Sequence, residues 1–399
     1  MHTLKAIAAS SLSLPTDNYI YSIAASAPGA FAAISSDDSL RVFDATNLDR
    51  VSVISHQTHD SGVTSLRSYS TGESQLLLTG GRDGKVKIWD IRTGNAIVEM
   101  ETAKHAPVLS VACNPQTNTL VAGTELVSSQ AVVAFWDIRS PKTPSLQYVE
   151  SHNDDVTELQ YHPTRNNILL SGSTDGLVNI YDTTVADEDE ALVQVINHGS
   201  VHHAGFLSER TIYALSHDEH FSVHPATDPD DAAQDPEPVH FSDVREPLGC
   251  EYVVQLFVGS QGPYMAAGNK MYVQDAVYSL IEMCLGAQPS TCLLFLSVWI
   301  LISSLYSDKR LDLVPLVSSP TWQFDQDNLW RLPGAHGDEV VRSVYLDEQS
   351  QSVFTCGEDG FVRAWKPTDD DDGNGSQAQV GSTKTTRPKE KKKDRFKPY

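Results

Sequence analysis

Only five of the 399 residues are cysteines (Cys113, Cys250, Cys284, Cys292 and Cys356), and none forms a CxxC pair. A dispersed, odd set of this kind excludes a disulfide scaffold and fits buried thiols in a reducing compartment. Positive charge is scarce too: 29 Lys and Arg stand against 52 Asp and Glu, a formal net charge of -23. A surface so acidic repels phosphate backbones, which excludes a nucleic-acid footprint spread over a whole face. The opening MHTLKAIAASSLSLP lacks the basic start and long apolar run of a signal peptide, so an intracellular location, cytoplasmic or nuclear, is expected. GxSxG, P-loop, GxGxxG and HExxH patterns are all missing. Their absence removes the common signatures of hydrolases, nucleotide-binding proteins and metalloproteases, and neither an enzyme nor a cofactor is expected.

What the chain does have is a repeat. Hydrophobic residues make up 40%, enough for a real core. Val, Ile, Thr, Tyr and Phe recur in short runs between turn residues, which favours strands over helices. TGGRDGKVKIWD (79–90), SGSTDGLVNIYD (171–182), TCGEDGFVRAWK (355–366) and, more weakly, AISSDDSLRVFD (33–44) share one pattern. A small polar residue precedes a turn containing Asp, and an alternating apolar strand then ends in an aromatic residue. Asp37 to Phe43, Asp83 to Trp89, Asp175 to Tyr181 and Asp359 to Trp365 all span six positions. Gln130 to Trp136 and Asp218 to His224 keep the same offset in degenerate form.

The intervals set the architecture. Positions 37, 83, 130, 175 and 218 lie 46, 47, 45 and 43 apart, the length of one four-stranded propeller blade. From Asp218 to Asp359 is 141 residues, where two blades need only about 90. That stretch hides one further blade plus extra sequence, so an all-β, seven-bladed propeller is expected over 1–367.

A second marker falls upstream of the turns. His59, His105, His152, His198 and His336 precede Val63, Val108, Val156, Val201 and Val340 by three or four residues, and each valine opens a strand-like run. In this the chain resembles the WD-repeat family, where a His, a Ser or Thr, a turn Asp and a Trp form a buried hydrogen-bond tetrad. The resemblance implies tetrads His59/Thr79/Asp83/Trp89 and His336/Thr355/Asp359/Trp365, with His152/Ser171/Asp175 closed by Tyr181 in place of Trp. The chemistry stands on its own terms: a buried carboxylate needs donors, and an imidazole plus turn backbone supply them. The ending GAHGDEVVRSVYLDEQSQSVFTCGEDGFVRAWK, with the earlier WDIRTG and LGCEYVV, is similar to the WD-repeat-containing protein 89 family.

After Trp365 the sequence turns acidic, leaving the last blade without its outermost strand. Leu4–Leu14 is expected to supply it, because an unpaired edge invites aggregation. Residues 272–310 are an apolar, non-repeat insert in the sixth blade. The run Thr291–Tyr306 is shorter than the roughly 20 residues a membrane span needs. The insert reads either as a helical hairpin or, as we favour, as translated intron sequence, since removing it restores the period. An acidic, proline-rich loop occupies 226–240. Residues 368–399 form an acidic, then basic tail with too little apolar surface to fold alone.

Ser, His and Asp recur together in each good repeat, always with an aromatic, so they read as turn clamps and not as hydrolase triads. His217, His220 and His224 make poor joint metal ligands, because residues 217 and 220 of one strand point to opposite faces. His202 and His203, adjacent on a strand, are expected to diverge likewise. WDIR occurs twice, and its arginines, Arg92 and Arg139, resemble those with which substrate receptors of cullin-4 ubiquitin ligases contact the ligase adaptor. The simpler reading is that each pairs with a nearby carboxylate. In the tail, Lys389, Lys391, Lys392, Lys393 and Arg395 suit nuclear import, and RNA contact is expected only there. The function expected is a non-catalytic scaffold for other proteins; the alternatives are a ligase substrate receptor or a nuclear factor in ribosome assembly.

Overall fold

The computed structural model describes residues 1–71, 74–227, 236–270 and 309–368. The 228–235 part of the acidic loop, residues 271–308 of the insert and the basic tail residues Lys389, Lys391, Lys392, Lys393 and Arg395 lie outside the described residues. Nearly all of the regular secondary structure among the described residues is strand. Among the described residues no helix is long and apolar enough to cross a membrane.

Strand β1 is His2–Ser10. The first sheet holds β2 (Ile20–Ala27), β3 (Ala30–Ser35), β4 (Leu40–Asp44) and β5 (Val51–Ser55). The second holds β6 (Val63–Thr71), β7 (Ser74–Gly81), β8 (Lys85–Asp90) and β9 (Asn95–Glu101). The third holds β10 (Val108–Asn114), β11 (Thr119–Thr124), β12 (Val133–Asp137) and β13 (Leu146–Tyr148). The fourth holds β14 (Val156–Tyr161), β15 (Ile168–Ser173), β16 (Leu177–Asp182) and β17 (Leu192–Asn197). The fifth holds β18 (Val201–Ser208), β19 (Thr211–Ser216), β20 (His220–Pro225) and β21 (Val239–Asp243). The last is nine-stranded, with β22 (Tyr252–Gly259), β23 (Gly262–Asn269), β24 (Arg310–Ser318), β25 (Trp322–Phe324) and β26 (Trp330–Pro333), then β27 (Val341–Asp347), β28 (Ser352–Gly357) and β29 (Val362–Pro367). Strand β1 runs antiparallel to β29 and parallel to β26, so it fuses two four-stranded paths into this one sheet.

The first strands of the sheets pack in a circuit: β2 on β6, then β10, β14, β18, β22 and β27, which returns to β2. The ring is shut. Burial grades outward from it. The second strands are enclosed between neighbouring sheets and are mostly buried, β15 (ILLSGS) and β28 (SVFTCG) along their whole length. Outer strands such as β5 and β9 are mostly solvated. The core therefore lies between sheets, with Leu78, Ile88 and Met100 of one meeting Val111, Leu120 and Trp136 of the next. Leu12, Phe31 and Phe43 close the seam with Phe354 and Val362.

The latch differs from expectation in extent. Pairing with β29 ends at Ser10, because Leu12 and Ser13 take left-handed conformations and Leu12 turns inward to complete buried. The insert's boundary also shifts. Arg310 is a strand residue paired with Asn269, so the intervening chain leaves and re-enters the sheet at one ladder rung. Residues 239 and 240 belong to β21 and not to the acidic loop.

Candidate functional site

The Asp turns between second and third strands need a residue of positive φ after the acid. Gly84, Gly176 and Gly360 supply it at φ 75, 95 and 77. A Cβ on Gly84 would come within 2.6 Å of the His105 backbone, so the turn also needs glycine for space. Into each turn reaches a histidine from the connection before the sheet. His59 Nδ1 lies 2.9 Å from Asp83 and Nε2 2.9 Å from the Thr79 hydroxyl, which accepts the Trp89 indole N–H at 2.9 Å. Asp83 also accepts the backbone N–H groups of Asp60 and Lys85. Burial holds His59 below its ordinary pKa. Burial alone would raise the Asp83 pKa, but His59 and the turn N–H groups pull it below the usual carboxylate range. The pair is thus a neutral imidazole and a carboxylate. Its tautomer is fixed, with Nδ1–H donating to Asp83 and the Thr79 hydroxyl donating to Nε2.

His336, Thr355, Asp359 and Trp365 repeat this arrangement at 2.7, 2.8 and 2.9 Å. His152, Ser171 and Asp175 do so at 3.1 and 2.7 Å, and Tyr181 closes the set by bonding both Ser171 and Ser151. Elsewhere the pattern bends. In the first sheet no histidine reaches Asp37. Buried Arg41, four residues on, grips that carboxylate at 2.9 and 3.1 Å instead. Arg363 occupies the same register position beside Asp359. In the fifth sheet Ser222 links His198 at 2.9 Å to His224 at 2.7 Å, replacing the indole with an imidazole. His105 departs from the pattern: it is exposed and pairs with Glu101, and Trp136 keeps a buried indole N–H without a partner among the described residues.

His202 and His203 do not diverge. A bulge between Val201 and His203 swings both rings together, with centroids 4.2 Å apart, and His217 stacks on His202 at 5.0 Å. Burial, reinforced by His203, His217 and Arg342, pushes His202 down to about 2. His203 reaches Glu158 of β14 at 2.6 Å and the Val254 carbonyl of β22 at 3.0 Å, tying three consecutive first strands together. His217 precedes β20 in a turn and is not on a strand with His220. Among the described residues no cluster could hold a metal ion.

The WDIR arginines pair locally. Arg92 meets Asp90 at 3.3 Å and Arg139 meets Asp137 at 2.6 Å, with the arginine side chains 85% and 70% exposed. Four residues of chemical interest were missed by the sequence reading. Glu188 gathers the N–H groups of Val149, Glu150 and Ser151 on one carboxylate. Asp38 and Glu219 stand where other turns have glycine, and each caps the first strand of the following sheet. Glu219 is buried, and burial raises its pKa to about 7. Asp155, raised by burial, accepts the Leu126 N–H. The glycine position before β4 and β20 was the available clue, since an acid at positive φ is uncommon.

Compared with known proteins, residues 51–219 match the family described as nucleolar protein 10-like, N-terminal domain, and 327–366 match the WD domain, G-beta repeat. An uncharacterised WD repeat-containing protein of Saccharomyces cerevisiae is 35% identical over 350 residues, 79% of either chain. The chain belongs to the WD-repeat proteins. A second uncharacterised WD repeat-containing protein, from Schizosaccharomyces pombe, is 33% identical over 84% of this chain and 97% of its own. The WD repeat-containing protein 89 homolog of Dictyostelium discoideum is 29% identical over 49% of this chain and 52% of its own. Among solved structures, a chain of the mitotic checkpoint complex superposes with a TM-score of 0.60 at 14% identity, covering 92% of this chain and 91% of that one. That likeness shows the WD-repeat propeller fold alone. Within the family's tetrads, the residues named above are the ones this chain uses.

Proposed function

We propose that this WD-repeat protein is a seven-bladed, non-catalytic scaffold that holds other proteins on the loops and channel mouths of its ring. The observation that carries this reading is where its reactive side chains are spent. The Thr79 and Thr355 hydroxyls are fully buried, and each is shared between an indole and a histidine whose other nitrogen serves a turn carboxylate. None is placed to attack a substrate. What remains at the surface is loop on a rigid frame, and that suits docking. Affinity purification of the full-length protein with mass spectrometry tests it. Discrete partners at near-stoichiometric yield are expected, and a preparation free of co-purifying proteins would sink the reading.

A narrower version rests on the exposure of Arg92 and Arg139, which leaves both guanidinium groups reachable by a cullin-4 ligase adaptor. Replacing both with alanine then abolishes adaptor pull-down, and unchanged pull-down removes that version. The lysine-rich tail, together with the match to a nucleolar protein family, supports a nuclear site of action. Deleting 384–399 from a fluorescent fusion is expected to release it to the cytoplasm; an unchanged nuclear signal would exclude the tail as the import signal.

A further inference from the structure

The channel end opposite the Asp turns opens into a cavity of about 920 Å³, walled by the ends of β2, β6, β22 and β27. Its lining has a definite charge pattern. Arg67 is the one cationic side chain among the described lining residues, and it is already committed: its guanidinium lies 4.0 Å from Glu158 and donates to the Leu66 carbonyl. Asp347 and Glu348 stand on the rim with no cation against either among the described residues. Glu348 instead accepts the Ser260 N–H, and Asp347 accepts Gln349 N–H and the Ser350 hydroxyl. Tyr345 lines the same cavity, and its hydroxyl is pushed up by burial and then by the charges of Asp347 and Glu348.

Aromatic surface lies beside the acids. Tyr345 packs edge-on against Phe31 at 4.9 Å, and Phe257 stacks on Tyr264 at 5.6 Å. A carboxylate pair next to aromatic faces attracts a cation by charge and by the ring quadrupole together. An independent feature points the same way. Ser26 lines the cavity, is 6% exposed, and its hydroxyl has no hydrogen-bond partner among the described residues. Buried polar groups are normally paired, and an incoming peptide amide would pair this one.

We propose that this channel mouth binds an extended segment of a partner protein bearing an arginine or lysine, the cation lying against Tyr345 and Phe257 between Asp347 and Glu348, and the segment's backbone meeting Ser26. The inference rests on the scaffold reading and names the chemistry of one partner. The same carboxylates repel phosphate, so a nucleic acid is the wrong occupant.

Selection of a displayed heptapeptide library on the full-length protein tests it. The counter-selection uses Val258→Arg, because Val258 lines the cavity, is 53% exposed, and tolerates a longer side chain without disturbing the core. Clones enriched in Arg or Lys are expected. They should bind about tenfold more weakly to Val258→Arg and to Asp347→Asn/Glu348→Gln, and should lose affinity as salt rises. Acidic or uncharged clones, or basic clones indifferent to both variants, would overturn the assignment while leaving the scaffold reading intact. A selection yielding no binders at all would count against both.

Discussion

Replacing Thr79 with valine keeps the side chain's volume and removes one hydroxyl. In the native clamp that hydroxyl accepts from Trp89 Nε1 and donates to His59 Nε2, each at 2.9 Å, with every participant buried. Valine leaves an indole N–H and an imidazole lone pair without partners in a site closed to water. Each orphaned group costs about 1–3 kcal/mol, so the loss sums to roughly 2–6 kcal/mol. Thr79→Ser keeps both bonds and gives up one methyl group, about 1 kcal/mol. The contrast between these variants isolates the hydrogen bonds from the packing. Urea unfolding followed by tryptophan fluorescence reads both, with Trp89→Phe and the Thr79→Val/Trp89→Phe double variant completing a cycle. The indole and hydroxyl should couple by about 1 kcal/mol or more, since the second substitution no longer strands a donor. If Thr79→Val matched Thr79→Ser within about 0.5 kcal/mol, the clamp would not be holding the turn and the reasoning would fail.

Other consequences follow from the same contacts. Because burial raises Glu219 to about 7, its contribution to stability is present below the unfolded carboxyl pKa and is lost as pH climbs through 7. Glu219→Gln should therefore gain up to ~3 kcal/mol over the parent at pH 8 and nothing at pH 4, measured by urea midpoints; equal midpoints at pH 8 would contradict it. His202, held down to about 2, and His224, held down to about 4, run the other way. Their contribution is complete above the unfolded histidine pKa and is lost as pH falls below about 6.5, so His202→Gln should flatten the acid limb of the melting-temperature profile. Removing residues 1–10 uncovers the edge of β29, and size-exclusion chromatography should then show aggregates or an expanded monomer. Arg92→Ala/Arg139→Ala should leave the melting temperature unchanged, because both guanidinium groups sit in solvent beside their aspartates.

The frame was legible because several sheets repeat a local constraint. An Asp turn with positive φ, an aromatic six residues on and a histidine upstream leave spacing that composition cannot mimic, and the tetrads around Asp83, Asp175 and Asp359 stand at those spacings. What was hidden came from substitutions that preserve the physics while changing the letters. Arg41 grips Asp37 from its own strand, so the missing histidine left no trace. The bulge at Val201 reversed the facing of His203, and alternation arguments assume its absence. Glu219 and Asp38 look like ordinary surface acids in sequence; only the fold brings them the N–H groups of Val253 and His59 from the next part of the ring. The channel mouth is assembled from strands more than 300 positions apart, and no window along the chain could show it.

Strand β1 has a consequence for how the molecule is made. Its partner β29 is translated some 350 residues later, roughly 20–70 seconds at ordinary elongation rates. Until then the Leu4–Ser10 edge has no β29 to pair with, while the unfinished ring grows behind it. Shutting the ring therefore waits until β29 has been made, and the growing molecule passes through an open, adhesive stage that a folding helper would have to shield.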